Sequence, residues 1–241
     1  MHLSLLKDSE NYSNFFNIND YSMKVKNLGN TDSLFNNFLS EVRDSKIQTD
    51  RMRFRKNLER LGEIMAYEIS KTLEYEEKEI LTPLGLAKMS VIKQHPILAT
   101  ILRAGLATHQ GFLNYFDHSE NAFVTAYRHY YKDGNFDIQV DYTTSPELTD
   151  KVLIISDPML ATGASVVLTY KALLNSGKPK HTHIAVAIAS VQGINYLKKN
   201  IVGTEVTLWV GAIDDELTSK SYIVPGLGDA GDLAYGSKLQ E

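Results

Sequence analysis

Val152-Leu153-Ile154-Ile155-Ser156-Asp157-Pro158-Met159-Leu160-Ala161-Thr162-Gly163-Ala164-Ser165 is an apolar run of strand length that ends on an acid and passes through small residues into a helical pattern over 165–175. Continuous apolarity, rather than alternation, marks a strand covered on both faces, as in a parallel sheet. Small residues opening a helix leave backbone N–H groups pointing outward, and the helix dipole favours an anion there. The Thr162 and Ser165 hydroxyls could add bonds, and Asp157 could meet a sugar's hydroxyls or a metal's shell. By spacing alone Thr-Gly-Ala-Ser fits an ordinary helix start as well as a phosphate cradle.

Outward from this stretch the same grammar repeats. Apolar strands are expected at Ile97–Leu102, Ala122–Tyr127, Val152–Ser156, His183–Ala189 and Val206–Val210, with helices at Leu106–Tyr115, Ser165–Asn175 and Ile194–Lys199. Strands alternating with helices predict an α/β fold, a mostly parallel central sheet flanked by helices. Lys132-Asp133-Gly134-Asn135, inside Tyr127–Tyr142, is a turn signal and predicts a hairpin arm. Upstream, Leu34, Phe35, Phe38, Leu39 and Val42 share one helical face, and Phe54, Leu58, Leu61 and Met65 share another that starts near Thr49 or Asp50. Residues 1–30 are polar and rich in asparagine and are expected to be an extension; residues 31–241 are expected to form a single domain.

Bulk properties narrow the function. The 241 residues carry 43% hydrophobic and 22% charged residues, the balance of an ordinary globule, and a net charge of -4 that offers no basic surface for nucleic acid. With no cysteine there is no disulfide, thiolate metal site or cysteine nucleophile. Neither a signal-peptide pattern nor an apolar run near the ~20 residues of a membrane span is found, so the chain is expected to be soluble, and the lack of cysteine fits the expected cytoplasmic location.

In such a sheet ligands gather beyond the carboxyl ends of the strands, and two more loops there are unusual. Ile101-Leu102-Arg103-Ala104-Gly105-Leu106 sets an arginine between an apolar strand and a glycine, where its fork can hold a phosphate or face solvent. Tyr222-Ile223-Val224-Pro225-Gly226-Leu227-Gly228-Asp229-Ala230-Gly231-Asp232 forces a tightly turned backbone with exposed N–H and C=O groups, suited to a flat base with imide donors and acceptors. His181 and His183 lack clustered carboxylates and are expected to be structural. Asp214 and Asp215 follow a strand, either bordering the base or in a solvated turn.

These loops resemble the uracil phosphoribosyltransferase family, of the type I phosphoribosyltransferase fold. Asp157–Ser165 is similar to its loop for phosphoribosyl pyrophosphate (PRPP), Ile101–Leu106 resembles its Ile-Leu-Arg-Ala-Gly-Leu segment, and Pro225–Asp232 matches its Pro-Gly-Leu-Gly-Asp-Ala-Gly-Asp signature at every position. Phe54-Arg55 through Met65-Ala66-Tyr67-Glu68 resembles its N-terminal helix, so the likeness runs from about residue 50 to the end.

The resemblance implies transfer of phosphoribose from PRPP to uracil, giving UMP and pyrophosphate. It implies that Arg103 and Arg128 hold the pyrophosphate and that Asp157 faces the ribose hydroxyls. Pro158, Met159 and Leu160 continue that loop, and Ala161, Thr162, Gly163, Ala164 and Ser165 wrap the 5-phosphate. Uracil is read by main chain around Ile223, Gly228 and Ala230, with Asp229 near PRPP and counted in both subsites. Mg2+ is carried mainly by PRPP, with no direct protein ligand expected. A hood is expected from 31–90 and 212–241, and a homodimer or larger homo-oligomer is implied, with GTP an effector in some relatives.

Two departures stand out. Gly163-Ala164-Ser165 replaces the usual Gly-Gly-Ser, and His129 follows Arg128 where an acid is common, in an arm longer than usual. An alternative of another class is a regulator that senses PRPP and uracil, which an added basic surface would betray.

Overall fold

The computed structural model describes residues 23–130 and 136–238, with 128–130 and 136–137 described by their backbone. The strands are β1 (Lys24–Asn27), β2 (Tyr75–Thr82), β3 (Gly85–Ile92), β4 (Ile97–Leu102), β5 (Asn121–Tyr130), β6 (Phe136–Thr144), β7 (Val152–Ser156), β8 (Met159–Leu160), β9 (His181–Ser190), β10 (Val206–Asp214), β11 (Glu216–Leu217) and β12 (Ile223–Val224). The helices are α1 (Leu34–Arg43), α2 (Arg51–Ser70), α3 (Leu106–Tyr115), α4 (Ala164–Leu173), α5 (Val191–Asn200) and α6 (Ala230–Tyr235). Among the described residues the central sheet runs β1-β10-β9-β7-β4-β5-β6, with β8 beside β9. Every pairing in it is parallel except β5 with β6, which form the expected arm. The arm's turn signal, 132–135, lies outside the described residues.

Each face of the sheet buries its own cluster. On one, Val166, Val167, Tyr170 and Leu173 of α4 and Ile194 and Leu197 of α5 pack on Ile97, Ile155, Ile184 and Leu208. On the other, α1, α2 and α3 share a core with Leu98, Ile154, Ala187 and Trp209, which also takes in Ile223, Leu227, Ala230 and Ala234 from the C-terminal segment. The helices and the glycine-rich segment are thus one body, and the loop beyond β10 is held by the core.

α2 starts where Asp50 accepts the Met52 and Arg53 N–H groups, satisfying two donors that the helix leaves open. Phe54, Leu58, Leu61 and Met65 are all buried, as their spacing predicts. Leu34 departs from expectation: the buried stripe of α1 is Phe35, Leu39 and Val42, and Leu34 at its margin is 66% exposed. Phe38 is half-buried under the Arg60 guanidinium, 4.9 Å from its ring.

β2 and β3 were not legible in the sequence. They pair along their length as a separate hairpin closed by Pro83-Leu84, with the Thr82 hydroxyl donating to the Gly85 carbonyl at 2.8 Å. Leu81, Leu84 and Leu86 on it are exposed, so neither face carries the alternation that marks a half-buried strand. β1 falls inside the stretch expected to be an extension, and pairs in parallel with β10 from Lys24 opposite Thr207 to Asn27 opposite Val210. His181 and His183 are structural: His183 is buried, accepts the Trp209 Nε1–H at 3.1 Å, and is pushed by burial down to about 3. No helix among the described residues is long and apolar enough to cross a membrane.

Candidate active site

The carboxyl ends of β4, β5 and β7 open into a trough roofed by the C-terminal segment. One part, about 170 Å³, is lined by Asp157, Met159, Leu160, Ala161, Thr162, Gly163 and Ser165 on one side and Ile223, Gly228, Asp229 and Ala230 on the other. The adjoining part, about 550 Å³, is lined by Arg103, Thr125, Tyr127, Ile138, Asp232 and Lys238. Ala104, Ile138, Asp157, Ser165, Tyr222, Asp229 and Gly231 border both, so three loops far apart in sequence meet the arm in one cleft.

Pro158 and Ala164 stand behind this lining. The Pro158 carbonyl accepts the Ala187 and Ile188 N–H groups at 3.1 Å each, which turns that peptide toward the sheet. Gly163, at φ +84, is the left-handed residue of the loop, and a Cβ there would lie 2.9 Å from the Gly193 carbonyl. Among the described residues only Asp150 and Ser221 have positive φ without being glycine, so Ala164 carries its methyl group in ordinary helical backbone. α4 has no side-chain cap from Gly163, and its opening is braced from behind, where Ser190 Oγ donates to the Ala161 carbonyl at 2.6 Å and accepts the Gly193 N–H at 2.8 Å.

Asp157 sits at the floor where the two parts join. Desolvation pushes its carboxyl from 3.8 up to about 7, against the pull of the Met159 N–H. A raised carboxyl pKa means the folded chain keeps a proton that the unfolded chain has lost across roughly pH 4 to 7. Stability owed to this group is full below that window and is lost as pH rises through 7. Replacing Asp157 by Asn should therefore remove a downward slope, and denaturant unfolding of both chains at several pH values reads it. A difference between them that stays constant with pH would refute the shift.

Arg103 follows a cis Leu102–Arg103 peptide and reaches across the trough. Its Nη2 donates to Asp232 Oδ1 at 2.5 Å and its Nη1 to the Gly236 carbonyl at 2.9 Å. Lys238 Nζ lies 3.1 Å from Asp229 Oδ2 and 3.7 Å from Asp232 Oδ1, so two cations and two acids interlock. Burial opposes the charge of Asp229, yet the Asp232 N–H and the Lys238 ammonium hold its carboxyl below the usual range. Asp229 also caps α6 by accepting that N–H at 3.0 Å. Arg128 lies in β5 opposite Ile138; its side chain, like that of His129, is outside the described residues.

In the C-terminal loop Ile223 is buried and paired through β11 and β12, and Gly226 and Gly228 sit at φ +55 and +96. Asp214 is buried and bonded to this loop, whereas Asp215 borders a shallow surface cleft with Gln192, Tyr196 and Lys199. Sequence reading did not single out Asp232, Lys238, Tyr222 or Ile138 as lining residues. Asp232 is inside the quoted signature, but a lone lysine near the C-terminus carries no pattern.

The model of the uracil phosphoribosyltransferase family matches residues 30–237. A uracil phosphoribosyltransferase of Porphyromonas gingivalis is 58% identical over 217 residues, 90% of this chain and all of that one. One from Pyrococcus furiosus is 36% identical over 205 residues, covering 84% of this chain and 86% of its own length. Among solved structures the AQ2163 protein from Aquifex aeolicus superposes with a TM-score of 0.78 at 30% identity, covering 88% of this chain and 98% of that one. With the family's loops gathered around one trough and its model matched over most of the length, this chain belongs to the uracil phosphoribosyltransferase family.

Proposed function

We propose that the chain transfers the phosphoribosyl group of PRPP to uracil, releasing pyrophosphate and UMP in pyrimidine salvage. The observation that carries this reading is the trough itself, in which an acid-floored helix start faces a rigid glycine-rich main-chain loop. In this reading the opening of α4, Ala161–Ser165, wraps the 5-phosphate, and Asp157 meets the ribose hydroxyls. Uracil lies against the main chain of Ile223, Gly228 and Ala230, where N–H and C=O groups match its imide edge. Arg103 and Arg128 receive the pyrophosphate, and Asp229 stands between base and PRPP.

The reaction is a displacement at the anomeric carbon: the bond to pyrophosphate breaks as a uracil ring nitrogen forms the new one from the opposite face. The protein contributes alignment and charge stabilisation, with no covalent intermediate. Among the described residues no group of three or more His, Asp or Glu side chains is arranged to hold a metal ion. Asp229 and Asp232 are engaged with Lys238 and Arg103, so in this reading magnesium is carried mainly by PRPP, with no direct ligand from the protein. Such an ion would neutralise part of the pyrophosphate charge.

Residues 31–241 are read as one phosphoribosyltransferase domain, with 31–90 and 212–241 forming the hood and 1–30 an extension from which β1 joins the sheet. A homodimer is proposed through the β2–β3 hairpin, supported by Leu81 and Leu84, 81% and 99% exposed. The test is UMP formation from uracil and PRPP with magnesium, with orotate, cytosine and hypoxanthine as competitors and with GTP added or omitted. Uracil-selective turnover is expected, and preference for another base would overturn the assignment. Sedimentation of the same sample as a monomer would strip the hairpin of its proposed role.

A further inference from the structure

Arg43 ends α1 and Asp214 ends β10, 171 positions apart, yet Arg43 Nη2 lies 2.6 Å from Asp214 Oδ1 and 2.5 Å from Oδ2. The same carboxylate accepts the Gly226 N–H at 2.9 Å. Asp214 is 7% exposed and Arg43 26%, so the acid is covered while its cation reaches it from the rim. A buried carboxylate engaged on both oxygens has little freedom, and it fixes the main chain that donates to it. Gly226 transmits that restraint: at φ +55, a Cβ on it would lie 2.1 Å from the Ile223 carbonyl oxygen. Gln48 adds a second brace. Its Nε2 donates to the Val42 and Arg43 carbonyls at 3.3 and 3.1 Å, and its Oε1 approaches to 4.0 Å of where a Gly228 Cβ would stand. The end of α1 therefore abuts the C-terminal loop near both Gly226 and Gly228.

We infer that Arg43 and Asp214 are positioning residues for the nucleobase: they hold the main chain of Ile223–Gly228 in the shape that reads the base and contribute nothing comparable to PRPP binding. The inference rests on the uracil reading proposed above. Its logic is preorganisation, since a loop fixed before the base arrives need not be ordered when it binds. Neither residue lines the trough, so any kinetic effect must pass through the loop.

The experiment is steady-state kinetics with uracil and PRPP varied separately, on Asp214→Asn, Arg43→Met, the conservative Arg43→Lys, and the double variant Arg43→Met/Asp214→Asn. Uracil KM should rise about tenfold or more in Asp214→Asn and Arg43→Met, as expected for losing a charge-assisted bond, while PRPP KM stays at its original value. Arg43→Lys should recover part of the loss, and the double variant should show less than the product of the single effects. A purely structural role predicts lower thermal stability without this asymmetry. Equal rises in both KM values, or a fall in kcat alone, would overturn the inference. Should Asp214→Asn not fold, the two single Arg43 variants make the same comparison. Failure of the unaltered chain to make UMP would instead remove the uracil reading, before any variant is considered.

Discussion

Arg103→Ala should lower kcat for UMP formation by about 10²- to 10³-fold, the usual cost of removing one group that stabilises charge developing in the transition state. The arginine stands at the end of β4 in the larger part of the trough, and in the free protein its partner is Asp232. In the proposed reading Asp232 is a placeholder, because a departing pyrophosphate would carry more charge and offer paired oxygens to the same fork. Lys238, already within reach of Asp232, can take over that acid when Arg103 turns away. Arg103 and Asp232 are about a third exposed, so their pair adds little to folding and the variant should unfold near the wild-type denaturant concentration. Arg103→Lys should fall between the two, because an ammonium supplies the charge without the fork. Turnover of Arg103→Ala close to the original value would remove the assigned role.

Trp209→Ala should cost about 3–5 kcal/mol of folding stability, the range for truncating a large buried aromatic side chain. Trp209 is 1% exposed on β10, where it meets the cluster that joins the helices to the C-terminal segment. Its indole N–H donates to His183 Nδ1, and Lys26 Nζ lies 4.3 Å over its ring. Truncation opens a cavity and strips a buried histidine nitrogen of its donor. Trp209→Phe retains most of the volume and loses the bond, so it should cost about 1–3 kcal/mol. Equilibrium denaturant unfolding measures both; a loss below about 1 kcal/mol for the alanine variant would mean that this part of the core collapses to fill the gap.

The sequence was most legible where burial is two-sided. Ile97–Leu102 and Val152–Ser156 were bounded to the residue, because each is a predominantly apolar run stopped by a charged residue where its loop begins. β9 and β10 run further than their apolar centres suggest, since His181, Thr182 and Asp214 keep strand geometry by pairing rather than by hydrophobicity. β2 and β3 were missed for the opposite reason: a strand buried on neither face has no pattern to read. The site divides in the same way. Its loops announce themselves through glycine, proline and an acid at strand ends, which are local signals. The partners that hold them do not, because Arg43 finds Asp214 and Arg103 finds Asp232 only through the fold. The family resemblance supplied roles for Arg103 and Asp157, whereas nothing in composition or spacing pointed to Lys238.

The short strand β1 bears on how the chain could be shortened. Residues before 31 look dispensable by composition, yet Lys24–Asn27 cover the outer edge of β10. Trimming them would bare the backbone of Thr207, Leu208, Trp209 and Val210, whose unpaired N–H and C=O groups, on a mostly apolar strand, make it a ready template for strand addition. The resulting preparation would suffer from self-association rather than from any defect in the trough, and a low yield of soluble material could be mistaken for a catalytic lesion.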